Sequence, residues 1–394
     1  MDILNLMLAI AEPNGMWESI IKWIQSGVGN YAVTIILLTI GIKVLLLPLD
    51  FYQKYVSKVN GKKQAKLQPE IDKINAKYAH NKDLLNQKTM ELYKRENYNI
   101  VGTCFGLLIN LVLTMVIFFT LFSGINKMQY YTIDKEYETL TNTYISAVVD
   151  GYNGERKDIF TLDENNEEHF NWTYEIDPTV KAQAEQAVIE KYEDIKTSFL
   201  WIKNVWIPDS YKKVIPDYAG YLKITNQKES ENAEIKNLEK QKYDTVMSPL
   251  INKYEKQWNG LLLLPIISIA VTVLSTMIPT WMEKAKCKRR GTEYLKQPTN
   301  GTMLVVMPLI LGIFTLFYNA VFGLYIVVGA LIGLITSPLT TLCIDALEAK
   351  MDKKAEAKAP TVSYSRKQPV DITKNQPKTN NASNKNKQNT NNKK

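Results

Sequence analysis

Five stretches of this chain run for about 20 residues with almost no charge, and that feature limits the possible folds more than any other. A run of roughly 18 or more apolar residues is long enough to cross a hydrocarbon layer of about 30 Å as a helix. The stretches are YAVTIILLTIGIKVLLLPL (31–49), VGTCFGLLINLVLTMVIFFTLFSGI (101–125) and GLLLLPIISIAVTVLSTMIPTW (260–281), followed by two more at 302–318 and 321–344. The last two are parted only by Asn319 and Ala320, which predicts a tight helical hairpin. The mean hydropathy of −0.19 would suit a soluble protein, but it averages these runs with segments dense in Lys, Asn and Glu. The expected class is an all-α polytopic membrane protein with five spans.

Charge sets the expected orientation, because short loops rich in Lys and Arg stay in the cytoplasm. Residues 50–100 hold 11 basic against 6 acidic side chains, and 282–301 hold 6 against 2. The tail from 345 holds 12 against 5, whereas 126–258 reverses the balance with 17 against 24. The first three are therefore expected inside a bacterial plasma membrane and 126–259 outside, with the N-terminus out and the C-terminus in. Cys104, Cys287 and Cys343 fall at or near the predicted inner ends, where thiols stay reduced.

The opening MDILNLMLAIAEP lacks a basic lead and is a poor signal peptide. MWESIIKWIQ, within an outer segment 1–30, has the spacing of an interfacial amphipathic helix. Residues 50–100 read as a basic cytoplasmic helical hairpin at the membrane surface. Leu67, Ile71, Ile74 and Tyr78 lie on one arm; Leu85, Met90, Leu92 and Tyr93 lie on the other. Asn81 to Asp83 forms the expected turn, and Pro69 suits a first helical turn. Outside, a turn at DGYNGER precedes a helix over TVKAQAEQAVIEKYEDIKTSF, and 220–257 reads as one long polar helix. The tail 345–394 has the composition of a disordered basic segment; it could bind anionic lipid or RNA, or serve only as a solubilising end.

One charge breaks the apolar pattern. Lys43 lies inside the first run, and the other four contain no Asp, Glu, Arg, His or Lys. An ionisable residue at such depth points to a functional site, and transporters usually pair it with a buried carboxylate. Three readings stay open. Lys43 can snorkel to headgroups about 9 Å away, line a water-filled hollow that attracts an acidic group, or belong to an ion path. Thr39 and Ala32 share its smaller, more polar helix face. Asn110, Ser268, Thr272, Ser275 and Ser337 are further neutral polar candidates, although hydroxyls in apolar helices usually bond to their own backbone. No metal-ligand spacing and no phosphate-cradling GxxxxGK[ST] is present, so no cofactor and no enzymatic activity are expected.

The first run, ending LLLPL, together with LQPEIDKINAKY and NQKTMELYKRENYN, resembles the YidC/Oxa family of membrane protein insertases in its five-span, Gram-positive-like form. NIVGTCFGLLINLVLTMVIFFTLF, SFLWIKNVWIPD, LLPIISIAVTVLSTM and FGLYIVVG continue the match in order. The resemblance implies five helices around a hydrophilic groove open to cytoplasm and lipid and closed outside. It implies clients that are nascent membrane proteins, delivered by the ribosome or a signal-recognition receptor, with or without the Sec translocon, to a monomer. By position Lys43 stands for a groove arginine, keeping its charge but losing its planar fork; Asn110 and Ser275 stand for glutamines. Asn319 replaces a proline frequent in the family, as do Gly106 and Val112, and residues 126–197 and 221–257 look like insertions. The groove set is thus Lys43, Thr39, Asn110, Ser268, Thr272 and Ser275. The alternatives are a transporter or channel with an intramembrane lysine, and a scaffold that binds a partner through its acidic outer region.

Overall fold

The computed structural model describes residues 10–96, 100–154, 159–162, 168–291 and 301–358. Among these the chain is mostly helical. It divides into two units, Met1–Asp345 and Ala346–Lys394. The second is helical through Lys358, where the sequence predicted disorder from 345; the rest of that tail lies outside the described residues.

Four helices are long and apolar enough to cross a membrane, within Tyr31–Gln64, Val112–Gly151, Leu263–Arg289 and Ala320–Met351, and a shorter apolar one covers Pro308–Phe317. The protein is a polytopic helical membrane protein, as the runs predicted.

α1 (Met16–Val28) buries Ile21 and Glu18 and leaves Trp23 exposed. Its Trp17 indole N–H donates to Thr120 Oγ1 of α4 at 2.9 Å. α2 (Tyr31–Tyr78) begins at Asn30, whose side chain accepts from the Ala32 and Val33 N–H groups. It then runs unbroken for 48 residues, carrying the first apolar run straight into the first arm of the hairpin. Pro48 and Pro69 both lie inside it, so Pro69 opens no helix. Each proline removes one N–H donor, a local loss that the flanking turns of a long helix carry.

α2 ends three residues before the expected turn, and α3 (Lys82–Arg95) starts after Asn81, whose Oδ1 accepts from the Leu84 N–H at 3.1 Å. Leu67, Ile71 and Leu92 form a small core of their own with Ile74 and Tyr93 packed against it. Met90 is exposed, off the face the spacing assigned to it.

α4 (Ile100–Gly151) also outlasts its apolar run. No Gly or Pro interrupts 126–150, so the helix continues through Lys127, Asp134 and Glu138 to a turn at 152–154. On this extension stack α5 (Pro178–Ile195), α6 (Tyr218–Thr225) and α7 (Ala233–Tyr254). Val180, Ala184, Val188 and Tyr192 repeat every four residues and are all buried, the stripe a helix presents to one neighbour. They meet Leu140, Tyr144 and Val148 of α4 and Tyr243, Val246 and Leu250 of α7 in one core.

The single long helix expected over 220–257 is two. Asn226, at φ +56°, takes the left-handed cap that ends α6, and Asn232 caps the start of α7. A two-stranded antiparallel hairpin, β1 (Phe160–Leu162) with β2 (Glu168–Phe170), pairs Thr161 with His169. α8 (Leu263–Arg290) and α9 (Gly301–Phe317) lie side by side, and α10 (Ala320–Lys358) follows after only Tyr318 and Asn319.

Candidate functional site

Lys43 is half-buried on α2. A Cβ placed on Gly329 of α10 would come within 3.4 Å of Lys43 Cε and 3.9 Å of Thr39 Cγ2. The lysine stem therefore lies over a helix stretch with no side chain, which lets it pass α10 closely. Among the described residues no hydrogen bond or ion pair reaches its ammonium. Thr39 is fully buried beside it, its hydroxyl donating to the Ile35 carbonyl at 2.6 Å.

The other predicted groove residues are not drawn to Lys43. Ser268 donates to Pro265 O at 2.8 Å, Thr272 to Ser268 O at 2.6 Å and Ser275 to Thr272 O at 2.8 Å. All three hydroxyls thus serve their own helix, α8. Asn110 lies on α4, and its side chain is outside the described residues. Ser337 does face α2: the Lys54 ammonium donates to its Oγ at 2.9 Å and to Thr340 Oγ1 at 3.0 Å. Further along, Asp345 accepts from Lys58 and, at 2.6 Å, pairs with Lys286, joining α2, α8 and α10 through one carboxylate. Gly329, Lys54 and Asp345 were not singled out in the sequence. A glycine in an apolar run and lysines past its end give no signal until the two helices are placed together.

The far end of the spans is closed by the segment SFLWIKNVWIPD. Asp209 is fully buried. Its carboxylate accepts from the N–H groups of Leu261 (2.8 Å), Leu262 (3.1 Å) and Leu264 (2.6 Å), and from the Trp201 indole at 3.1 Å. The first three are the unpaired donors at the start of α8, so the negative charge sits where the helix dipole favours it. Gly260 is required here, because any Cβ would collide with the Asp209 carboxylate.

Asn259, also fully buried, accepts from the Asn204 N–H at 2.8 Å and donates to the Asn204, Ile207 and Pro208 carbonyls. Gln129 of α4 donates to Trp206 O at 2.6 Å and accepts from Asn319 Nδ2 at 2.9 Å. The Ala320 and Val321 N–H groups at the head of α10 donate to Ile207 O and Val205 O, and Asn30 at the head of α2 donates to Ser198 O at 3.3 Å. One loop thereby ties together the starts of α2, α8 and α10 and the middle of α4. Residues 126–197, which look like an insertion, supply Gln129 to this knot and so are not an appendage from their first residue.

The arrangement is a helical bundle knotted at one end, with an ammonium lacking a counter-charge inside it. Its groups can attract and position an anionic segment. Among the described residues no cluster of His, Cys, Asp and Glu is arranged to hold a metal ion.

Comparison with known proteins agrees with this architecture. Similar curated proteins named membrane protein insertase YidC include that of Fusobacterium nucleatum, 45% identical over 98 residues, which is 25% of this chain and 46% of the relative. That of Clostridium perfringens is 36% identical over 104 residues, 26% of this chain and 42% of the relative. That of Caldanaerobacter subterraneus is 34% identical over 99 residues, 25% and 46%. The aligned stretch thus spans less than half the length of each of these relatives. Residues 23–345 match the family described as 60Kd inner membrane protein, from α1 to the carboxylate that joins α2, α8 and α10. The chain belongs to the 60Kd inner membrane protein family, the YidC/Oxa family.

Proposed function

We propose that the protein is a membrane protein insertase. It receives newly made membrane proteins at the cytoplasmic face, draws the polar outer tail of each into a hydrated groove beside Lys43, and releases the client's apolar helix into lipid. Relatives named as YidC insertases support this assignment, and the observation that carries the groove mechanism is Lys43. It is half-buried, it lies against Gly329, and no carboxylate pairs with it among the described residues.

Polar groups cannot cross hydrocarbon unaided, because each unsatisfied one costs several kcal/mol. A groove part-way through the bilayer shortens the dry distance, and Lys43 offers an acidic tail an attraction that water alone does not. Partition of the client's apolar helix into lipid supplies the free energy, so no nucleotide is consumed. The proposed groove set is Lys43, Thr39, Asn110, Ser268, Thr272 and Ser275, with Gly329 added as the surface over which the lysine lies.

The membrane is the bacterial plasma membrane, with the N-terminus outside and the hairpin and tail in the cytoplasm. The ribosome, through these basic segments, is the proposed source of clients; the Sec translocon and the signal-recognition receptor are the proposed associates of a monomer.

In proteoliposomes, Lys43→Glu should lower insertion of an acidic-tailed client by at least about tenfold, the effect of losing an attraction worth about 1.4 kcal/mol. Lys43→Arg should preserve it. Normal insertion of every client by both Lys43→Ala and Lys43→Glu would mean that the lysine merely snorkels. Anion flux through the purified protein without client insertion would favour the transporter reading.

A further inference from the structure

Two half-buried lysines of α2 have no carboxylate within ion-pair distance among the described residues, and the groove mechanism uses only one of them. Lys54 lies eleven residues beyond Lys43. Eleven residues are three turns plus about 20°, and about 16 Å along the helix axis. Both lysines therefore stand on the α2 face that meets α10, where Gly329 lies by the first and Ser337 and Thr340 by the second.

Lys54 has an ordinary partner within reach of its spacing and does not take it. Asp50 is four residues earlier, the separation of an intrahelical ion pair, yet the ammonium turns to the two α10 hydroxyls. Thr340 donates its own hydrogen to Ser337 O at 2.9 Å, so it receives Lys54 on a lone pair. Two of the three ammonium hydrogens are thus engaged by neutral oxygens. The third is unassigned, and no carboxylate lies within ion-pair distance among the described residues. Lys58, one turn on, shows the usual alternative: it pairs with Asp345, which also takes Lys286.

A half-buried lysine held by hydroxyls is a cation fixed in direction and not neutralised. A tether alone would not need the charge, whose partial desolvation is unfavourable.

We propose that Lys54 is a second station for the carboxylates of a client's acidic tail, at the cytoplasmic mouth of the seam between α2 and α10, reached before Lys43. The proposal rests on the insertase assignment. Screening in physiological salt acts over ~8 Å, about half the spacing of the two ammonium groups. A carboxylate midway is therefore still within the field of both. Asp50 lies on the same face between them and opposes a carboxylate there, so the tail is held at two positions and not smeared along the helix.

The test uses the full-length protein in proteoliposomes with two single-span clients that differ only in an acidic or a neutral outer tail. Lys54→Gln keeps an N–H donor for Ser337 and Thr340 and removes the charge. It should raise the client concentration for half-maximal insertion several-fold more for the acidic tail than for the neutral one. Lys43→Gln should act chiefly on the maximal rate. Lys54→Arg should restore the acidic client.

Equal loss with both clients would make Lys54 a tether, and no loss would leave it without a role; either result overturns the second station. A loss for both clients that tracks the anionic-lipid content of the vesicles would assign the site to a headgroup phosphate and overturn it too. In all of these cases Lys43→Gln should still distinguish the clients. If it does not, the groove-charge mechanism beneath the proposal fails as well.

Discussion

Glu136 shows what burial does to a single group where α4 meets α6 and α7. It lines a cavity of about 30 Å³ with Tyr137, Tyr192, Asn204, Tyr221 and Tyr243, and loss of hydration raises its carboxyl from 4.5 to about 8. The folded protein therefore keeps this proton between about pH 4.5 and 8, where the unfolded chain has lost it. Stability must fall as pH rises across that window and level off above it. The Glu136→Gln variant should melt higher than the parent at pH 9 and equally at pH 4. Parallel melting curves at both pH values would show that the acid is not held neutral. Glu193 behaves oppositely: bonds from Lys196, Lys253 and Tyr254 lower it to about 2, so its contribution disappears only in strong acid.

Residues differ in how far the sequence reveals them. Lys43 is legible because it is the only charge in a run of 19 residues that is otherwise uncharged. Asp209 is not, since its partners are backbone N–H groups more than 50 residues away. Nothing in the side chains of Leu261 and Leu264 announces them. Ser268, Thr272 and Ser275 were legible as polar, but their bonds to their own helix could be expected only in general, not helix by helix.

At the scale of elements, apolar runs mark the spans well and mark helix ends poorly. α2 and α4 both continue long past their apolar segments, because a change from lipid-facing to water-facing side chains is no reason for a backbone to stop coiling. Only turn chemistry stops it: Asn81 before α3, and the turn 152–154 with Asn153 and Gly154 at positive φ after α4.

The α2–α3 hairpin consequently has one arm rigidly continuous with a span and one arm held by packing. That packing is small, with Leu92 the sole fully enclosed contribution from α3. The Glu70–Arg95 bridge at 2.5 Å is exposed, so solvent screens it and it adds little. Leu92→Ala should remove roughly 2–3 kcal/mol. Amide exchange over 82–95 should then accelerate by about two orders of magnitude while 31–49 is unchanged. Unchanged exchange in α3 would mean that another surface holds it.

For the whole molecule, the chain's division at Asp345 places the basic tail in a unit of its own. Removing 346–394 should leave client insertion from a released, purified state intact and weaken co-sedimentation with ribosomes, more at low salt than at high salt, as expected for contacts with phosphate. Equal sedimentation of the truncated protein would exclude the tail as a ribosome contact.

The knot around Asp209 and Asn259 has a consequence of an electrical kind. The proposed groove, filled with water from one side and stoppered at the other, would behave as a conductor ending in an insulator. The membrane voltage then drops mainly across the stoppered half and hardly at all along the wet half. In a cell that is negative inside, an acidic tail moving outward gains about 2.3 kcal/mol per charge per 100 mV, and it gains nearly all of this in the final dry step. Dissipating the voltage with an ionophore should slow insertion of acidic-tailed clients and spare neutral ones. Equal rates with and without the voltage would show that the stopper does not concentrate the field. The side chains of one loop segment and its neighbours would thus turn a stored cellular voltage into a local pull, applied where hydration has run out.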